Sequence, residues 1–204
     1  LKIHDLTCSG TPPLGSLMAR AFLLVALPAC ACAVYMHCDG APVCGVLVLE
    51  SGLGKGTYKH SSAAVHGLWP QVKPFGDSPC IAPKMMSVPR EVYKCYDQPD
   101  TSSSAERGFE SHEWYKHGEC AGIVDAEDYF DQICQLSAAP KKIMDAVRPN
   151  FNLMKSKLQQ AGYYIFSTDV VYKQFGLSAC AGSDGKWKLA PPYRFRSVCG
   201  GSGP

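Results

Sequence analysis

Cysteine is the residue type that most constrains how this chain can fold. The sequence contains 11 cysteines, and Cys8, Cys30 and Cys32 precede residue 34, which leaves 11 − 3 = 8 in the rest of the chain. An even number of cysteines in an exported chain predicts a disulfide framework. Eight cysteines allow roughly a hundred pairings, so their spacing alone does not choose among them. The eight candidates are Cys38, Cys44, Cys80, Cys95, Cys120, Cys134, Cys180 and Cys199.

The first 33 residues have the pattern of a targeting segment. The chain starts at Leu1, and its first methionine, Met18, opens a short basic segment that precedes the apolar run 21–29. Residues 31–33 have the A-x-A form of a cleavage site. We therefore expect a non-native upstream segment at 1–17, a signal peptide at 18–33 and a single domain at 34–204.

A transmembrane anchor is the rival interpretation of that apolar run. An anchor would need about 18 or more apolar residues. This run is shorter and contains Pro28. We expect export without a membrane anchor after the signal is removed, so that the protein is secreted or lies in an endomembrane or periplasmic lumen.

The charge balance limits how the protein can bind a polyanion. Without Lys2, Arg20 and Asp5 the chain keeps 20 − 2 = 18 basic and 18 − 1 = 17 acidic residues, a formal charge of about +1. High-affinity nucleic-acid-binding modules are normally strongly basic, so this composition argues against one. It is compatible with an enzyme that binds its substrate locally in a cleft. The remaining 204 − 33 = 171 residues suit one domain with a sizeable core, which we expect to be monomeric.

Residues 109–120, FESHEWYKHGEC, concentrate ionisable groups in a short segment. Successive helical residues differ by about 100°, which places His112, Glu113, Lys116 and His117 on one face and turns Trp114 away, towards the core. Two histidines can act as acid and base near neutral pH. A lysine beside them stabilises negative charge that develops on oxygen. The combination favours phosphoryl transfer.

A second motif, HGLWP at residues 66–70, begins 112 − 66 = 46 residues before His112. It supplies a further histidine, His66, directly after the predicted strand 63–65. Gly67 and Pro70 flank Trp69 in a stiff segment that suits its indole to stacking on a base. Tryptophans are also common core residues, so a purely structural role stays open beside substrate binding by Trp69.

Both motifs resemble those of the ribonuclease T2 family of secreted, metal-independent endoribonucleases, over roughly residues 44–200. The resemblance implies cleavage of single-stranded RNA through a 2′,3′-cyclic phosphate to 3′-phosphate ends. It implies no cofactor, no metal and no cleavage of DNA, which lacks the 2′-OH. By the same resemblance His117 is the base, His66 the acid and His112 a phosphate ligand, while Glu113 and Lys116 stabilise the phosphorane.

The resemblance also suggests disulfides between Cys80 and Cys120 and between Cys180 and Cys199. Pairing of Cys38 with Cys44 and of Cys95 with Cys134 is a guess. The implied fold is α+β, with an antiparallel β-sheet packed with several helices and stabilised by disulfides. The chain departs from the family pattern at residues 50–56, a glycine-rich stretch that we interpret as a flexible turn.

The order of apolar and polar residues predicts the individual elements. Residues 46–49 and 63–65 are expected as strands, with strand-like runs at 163–166 and 193–198, and loops at 73–90 and 97–105. Residues 111–117 should be helical. A second helix should run from its cap at Asp125 to about Leu136. A third should begin near Pro140, be bent or broken by Pro149, and end before Gly162.

Two other classes of protein compete with this interpretation. A secreted binding or signalling protein could keep the fold without catalysis, although loss of catalysis usually leaves some of the charged site residues replaced. A zinc hydrolase would need helical histidines four residues apart, whereas His112 and His117 are five apart. Cys120 suits a disulfide better than a metal in an oxidising compartment. We interpret His4, His37 and His60 as ordinary surface or core histidines.

Overall fold

Both faces of the first strand are apolar, and this makes it an inner strand of the sheet. The computed structural model describes residues 34–96 and 101–200. In it, every residue of β1, Val43–Glu50, is buried. Leu47 and Leu49 face a large core shared with three helices, whereas Val46 and Val48 face a smaller core on the opposite side. A strand covered on both faces has a near-continuous apolar sequence, as this one does up to its last residue, Glu50.

Five antiparallel strands form the sheet within the described residues. The strand order is β2-β1-β4-β3, and β5 pairs with the part of β4 that β3 does not reach. β2 therefore lies at one end of the order. The other strands are β2 Ala64–Pro70, β3 Ile165–Asp169, β4 Gln174–Ala181 and β5 Trp187–Leu189.

A β-bulge interrupts the pairing of β1 with β2 at His66. Val48 pairs with Gly67 and Leu49 pairs with Val65, so His66 is an extra residue on β2. A bulge of this kind re-aims the side chain that it carries and is common beside active sites. The HGLWP motif thus forms most of β2 itself, where the sequence suggested a stiff segment following a strand.

Polar side chains cap the three longer helices at their first residues. Ser102, Asp125 and Asn150 each accept a backbone hydrogen bond through the side chain, which satisfies an N–H group that the helix leaves unpaired. The helices are α1 Ser103–Lys116, α2 Ala126–Asp145, α3 Phe151–Gln160 and α4 Phe195–Cys199. Short 3-10 segments lie at Gly56–Tyr58, Gly118–Cys120 and Pro192–Arg194.

The helices run further than the sequence predicted. α1 begins at Ser103, so residues 103–105 are helical and not part of a loop. α2 continues beyond Leu136, through Pro140, and ends at Asp145. Pro140 is buried against the core and removes one backbone hydrogen bond of the helix. The predicted end near Gly162 is confirmed, since α3 stops at Gln160 and Gly162 has a positive φ of 89°.

The late part of the sheet also differs from the prediction. Residues 193–198 were expected as a strand, but they lie in the 3-10 segment Pro192–Arg194 and in α4. This prediction was wrong because burial falls on Phe195 and Cys199, one helical turn apart, and not on alternate residues. β4 and β5 were not predicted at all, although β4 is buried along its whole length.

Four disulfides join the described part of the chain, and their pairs are those expected above: Cys38–Cys44, Cys80–Cys120, Cys95–Cys134 and Cys180–Cys199. The antiparallel sheet, the helices and the disulfides confirm the predicted α+β fold. The expected upstream segment and signal peptide lie outside the described residues. No helix among the described residues is long and apolar enough to cross a membrane.

Candidate active site

Hydrogen bonds from two buried tyrosines hold the strand that carries His66. The Tyr96 hydroxyl donates to the backbone oxygen of His66 at 3.1 Å, and the Tyr129 hydroxyl donates to that of Leu68 at 2.7 Å. Both tyrosines belong to the large core. The backbone on either side of the bulge is therefore fixed against the core, and the His66 side chain has a defined direction.

A glycine lets α1 approach β2 closely enough to bring Glu113 to His66. A Cβ added at Gly67 would collide with Glu113 Oε2. The carboxylate of Glu113 is fully buried. Its Oε2 accepts a hydrogen bond of 2.8 Å from Trp69 Nε1, and its Oε1 lies 3.4 Å from His66 Nε2. The hydrogen bond from Trp69 therefore holds the buried Glu113 side chain, and its other oxygen lies beside His66.

His117 follows the last residue of α1 and packs on the same tryptophan. It is the C-cap residue of α1, with non-helical φ and ψ of −130° and −43°. Its ring stacks on Trp69 with centroids 4.9 Å apart and planes 21° apart. The Trp69 ring also meets His66 edge-on, at 5.0 Å. One indole thus contacts Glu113 and both histidines.

The two histidines have opposite pKa shifts. Burial lowers the pKa of His66, but the bonds to Glu113 and Glu50 and their charges outweigh burial and raise it to about 9. Burial also lowers the pKa of His117; Glu113 counteracts this, while the charges of His66, Lys116 and His112 add to it, and the result is about 4. At neutral pH His66 is therefore protonated and His117 is neutral, which suits them to the roles of acid and base.

The remaining two groups of the helical cluster lie at the surface. His112 and Lys116 are exposed, whereas Glu113 is buried and His117 is partly buried. The four residues predicted to share one face of the helix therefore differ in burial. Solvent or a ligand can reach the two exposed ones. Their charges still act on the site, because both disfavour protonation of His117.

A second carboxylate lies on the far side of His66. Glu50 Oε1 is 2.8 Å from His66 Nδ1, and Glu50 Oε2 is 2.9 Å from His60 Nε2. Gln174 Nε2 lies 2.9 Å from His66 Nδ1 and 3.4 Å from Glu50 Oε1. Burial opposes the charge of Glu50, but the bonds to the two histidines lower its pKa overall. The sequence prediction placed Glu50 in a flexible turn, and it missed Gln174 altogether.

A cavity of about 530 Å³ opens beside this group. Tyr58 and Phe109 line it, and the rings of both lie within 6 Å of His66, at 5.9 and 5.1 Å between centroids. Glu50 and His60 form another part of its wall. Phe109 thus forms part of the cavity wall beside His66.

A comparison with protein-family models decides the family. The model described as the ribonuclease T2 family matches residues 38–151, which is more than half of the chain. The chain belongs to the ribonuclease T2 family. The match includes both histidine motifs and three of the four disulfides of this T2 domain, and it ends before Gln174. A search of curated proteins found no match.

Family membership supports ribonuclease activity, with RNA as the substrate of this T2 domain. The four disulfides and the family are consistent with an extracellular or lumenal protein.

The cysteines in the two candidate sets of metal ligands are bonded in disulfides. Cys120 is bonded to Cys80 and offers no thiolate beside His112 and His117. Among the described residues, Cys38, Cys44 and Asp77 have the spacing of a metal site. The two cysteines of that group form a disulfide as well. A thiolate is the form in which cysteine binds a metal, so neither set presents a sulfur ligand.

Proposed function

We propose that this T2 ribonuclease is an endoribonuclease that cleaves single-stranded RNA by transphosphorylation, without a metal. The RNA 2′-oxygen attacks the adjacent phosphorus and its proton passes to His117. The bond from phosphorus to the 5′-oxygen breaks, and that oxygen takes a proton from His66. The products are a 2′,3′-cyclic phosphate and a free 5′-hydroxyl; water then opens the cyclic phosphate to a 3′-phosphate, with the two histidines in reversed roles.

The opposite pKa shifts of the two histidines carry this proposal. A base must be neutral and an acid protonated before the reaction starts, and at pH 7 His117 and His66 have these forms. No group needs to change its protonation state on substrate binding. The 2′-OH is already beside the phosphorus that it attacks, so the protein needs to orient and stabilise more than to supply a nucleophile.

The other residues of the cluster have supporting roles in the proposed mechanism. Exposed His112 and Lys116 reach a phosphate that enters from solvent, and Lys116 stabilises the negative charge of the phosphorane. Glu113 is buried, and we assign it to orienting and polarising the two histidines as the phosphorane forms. Trp69 contacts Glu113 and His117, which supports a structural role for its indole; stacking on a base stays a prediction.

The export pathway is part of the same proposal. A signal peptide at 18–33 would deliver the domain to an oxidising compartment, in which disulfides persist. We expect a monomer without a membrane anchor. N-terminal sequencing of the exported protein tests the position of the cleavage, which we expect directly after residue 33.

Two variants test the assignment of acid and base. His66→Ala and His117→Ala should each lower turnover of a dinucleoside phosphate by roughly 10²–10⁴-fold. A substrate with a good leaving group, such as a nucleoside 3′-(4-nitrophenyl phosphate), needs no protonation at that oxygen. It should restore most of the rate of His66→Ala and little of that of His117→Ala. Equal rescue of both variants would mean that the roles are assigned wrongly.

A comparison of RNA and DNA tests the reaction itself. The wild-type protein is incubated with RNA and with DNA of the same sequence, in the presence of EDTA, and the ends are analysed by mass spectrometry. We expect 2′,3′-cyclic and 3′-phosphate ends from RNA and intact DNA. Loss of activity in EDTA, or 5′-phosphate ends, would contradict the proposed mechanism.

A further inference from the structure

Glu50 is buried between two histidines that come from different parts of the chain. It is the last residue of β1, where it pairs with Ala64 of β2 and with Gln174 of β4. The side chain is 9% exposed. Each carboxylate oxygen faces one ring, Oε1 at 2.8 Å from His66 and Oε2 at 2.9 Å from His60. Both oxygens are thus occupied by imidazole nitrogens.

The hydrogen-bond partners of His60 define its protonation. His60 Nδ1 lies 2.6 Å from the backbone oxygen of Ser62, and its Nε2 faces Glu50. A carbonyl and a carboxylate only accept hydrogen bonds, so both ring nitrogens need a hydrogen. Only the charged imidazolium has both. Burial lowers the pKa of His60, but the bonds to Glu50 and Ser62 outweigh it and the pKa is raised overall.

His66 lies between two carboxylates, and the Gln174 amide, which donates to Glu50 Oε1, lies 2.9 Å from its Nδ1. Its Nδ1 faces Glu50 and its Nε2 faces Glu113. The Glu50 carboxylate thus lies between the two imidazole rings of His60 and His66. A neighbouring opposite charge offsets the free-energy cost of burying a charged side chain. An isolated charge at this position would have no such compensation.

We propose that Glu50 is a positioning residue for the acid His66: it keeps one proton on Nδ1, so that Nε2 is the nitrogen that gives up its proton and recovers it. This inference rests on the proposed function of His66. When the leaving 5′-oxygen is protonated, the Nε2–H bond breaks and an O–H bond forms, while the Nδ1–H bond to Glu50 stays. His66 then remains in one tautomer, ready to take a proton from water at Nε2 in the second step.

His60 holds Glu50 in this role from the opposite side. Arg148 in turn holds the segment around His60, since its guanidinium donates to the backbone oxygens of Ser51 and His60. His60 and His66 contact the two oxygens of Glu50, and the carboxylate is buried. Glu50 is part of the cavity wall, but a ligand could bind its oxygens only if these bonds broke, so we assign Glu50 to act through His66.

Several groups besides Glu50 face the acid, among them the uncharged side-chain amide of Gln174 at Nδ1. Glu113 on α1 is the other carboxylate, and His117 at the end of that helix opposes protonation of neighbouring groups only when it is charged itself. The rings of Tyr58, Phe109 and Trp69 surround His66 without adding a charge of their own at neutral pH. Removal of Glu50 alone should therefore lower the affinity of His66 for its proton without abolishing it, because Glu113 remains.

The variant Glu50→Gln tests this inference, with His60→Gln as its matched control. Glu50→Gln keeps the shape and loses the charge beside His66. The basic limb of the pH profile of kcat/KM for a dinucleoside phosphate should move to lower pH by about one unit or more. His60→Gln touches the same carboxylate but removes no negative charge, so its basic limb should not move to lower pH. A nitrophenyl ester substrate should hide the defect of Glu50→Gln, since its leaving group needs no acid.

A direct measurement on the wild-type protein keeps the inference testable if Glu50→Gln does not fold. In ¹⁵N-histidine NMR, His66 should lose its proton from Nε2 and keep it on Nδ1 as the pH rises. Loss of the Nδ1 proton would overturn the inference, as would a folded Glu50→Gln with an unchanged basic limb. Either result leaves the proposed function intact, whereas full activity of His66→Ala towards a dinucleoside phosphate would defeat that function itself.

Discussion

The pH profile of this ribonuclease should be a broad plateau. With ordinary histidine pKa values near 6.5, acid and base would titrate together and give a narrow optimum. In the structure their pKa values are separated, at about 4 for His117 and about 9 for His66. Activity should therefore rise as His117 loses its proton, stay level, and fall as His66 loses its own.

The size of the effect follows from the fraction of enzyme in the active form. At pH 8, separate pKa values of about 4 and 9 leave roughly 90% of the enzyme with a neutral base and a protonated acid. Two pKa values of about 6.5 would leave roughly 3%, because nearly all of the acid would be deprotonated. The two cases differ by about 30-fold at pH 8, and by only about 4-fold at pH 6.5. Measurements at mildly alkaline pH therefore discriminate best.

The assay is kcat/KM for cleavage of a dinucleoside phosphate, from pH 3 to pH 10 in buffers of constant ionic strength. We expect limbs near pH 4 and pH 9, each with unit slope. A narrow bell centred near pH 6.5, with activity at pH 8 about eightfold below the maximum, would refute the assignment of the two histidines.

Unfolding must be separated from titration at both limbs. His66 has a folded pKa above its unfolded value, so its contribution to stability is full below about pH 6.5 and is lost as the pH rises through about 9. His117 has a lowered folded pKa, so its contribution is full above about pH 6.5 and is lost as the pH falls through about 4. Circular dichroism at each pH, followed by return to pH 7 and a second assay, identifies activity lost by unfolding.

Three further predictions concern the geometry of the site. Gly67→Ala should push the nearby Glu113 carboxylate away from His66 and lower kcat/KM by about 10²-fold. Gly108→Ala, at an exposed position inside α1 with nothing within 4 Å of the new Cβ, should keep activity and stabilise the protein slightly. Equal activity of the two variants would contradict the close approach. Lys116→Met should lower kcat by about 10²-fold with little change in KM, and a rise in KM alone would assign Lys116 to ground-state binding instead. Replacing both Cys80 and Cys120 by Ala should lower the free energy of unfolding, measured in urea, by about 2–5 kcal/mol and should lower activity as well. An unchanged urea midpoint would show that this disulfide does not stabilise the site.

The histidine motifs could be found from the sequence because their ionisable residues are close together along the chain. The second carboxylate beside His66, that of Glu50, could not be found in this way. Glu50 reaches His66 only because β1 and β2 pair with a bulge at His66, and Gln174 reaches both from a strand more than a hundred residues later. Strand register and the position of a bulge are set by long-range packing, which a single sequence does not reveal.

The fold was predictable where burial follows the expected period of apolar residues. α1 was found only in part, since its buried face carries Glu106, Glu110 and Glu113 at helical spacing, where apolar residues are expected. β4 was missed because its buried residues are mostly small and stand beside glycine and serine. In both cases burial is decided by neighbours that are distant in sequence.

The disulfides Cys80–Cys120 and Cys95–Cys134 overlap along the chain, and this determines how the protein responds to a protease. Any single cut between residues 80 and 134 is spanned by at least one of the two bonds. The connection 81–94 is the natural place for such a cut, since Met85 and Met86 are 56% and 65% exposed. A nicked molecule would run as one chain on a non-reducing gel and as two after reduction, with the helix that carries His117 still bonded to the segment after β2.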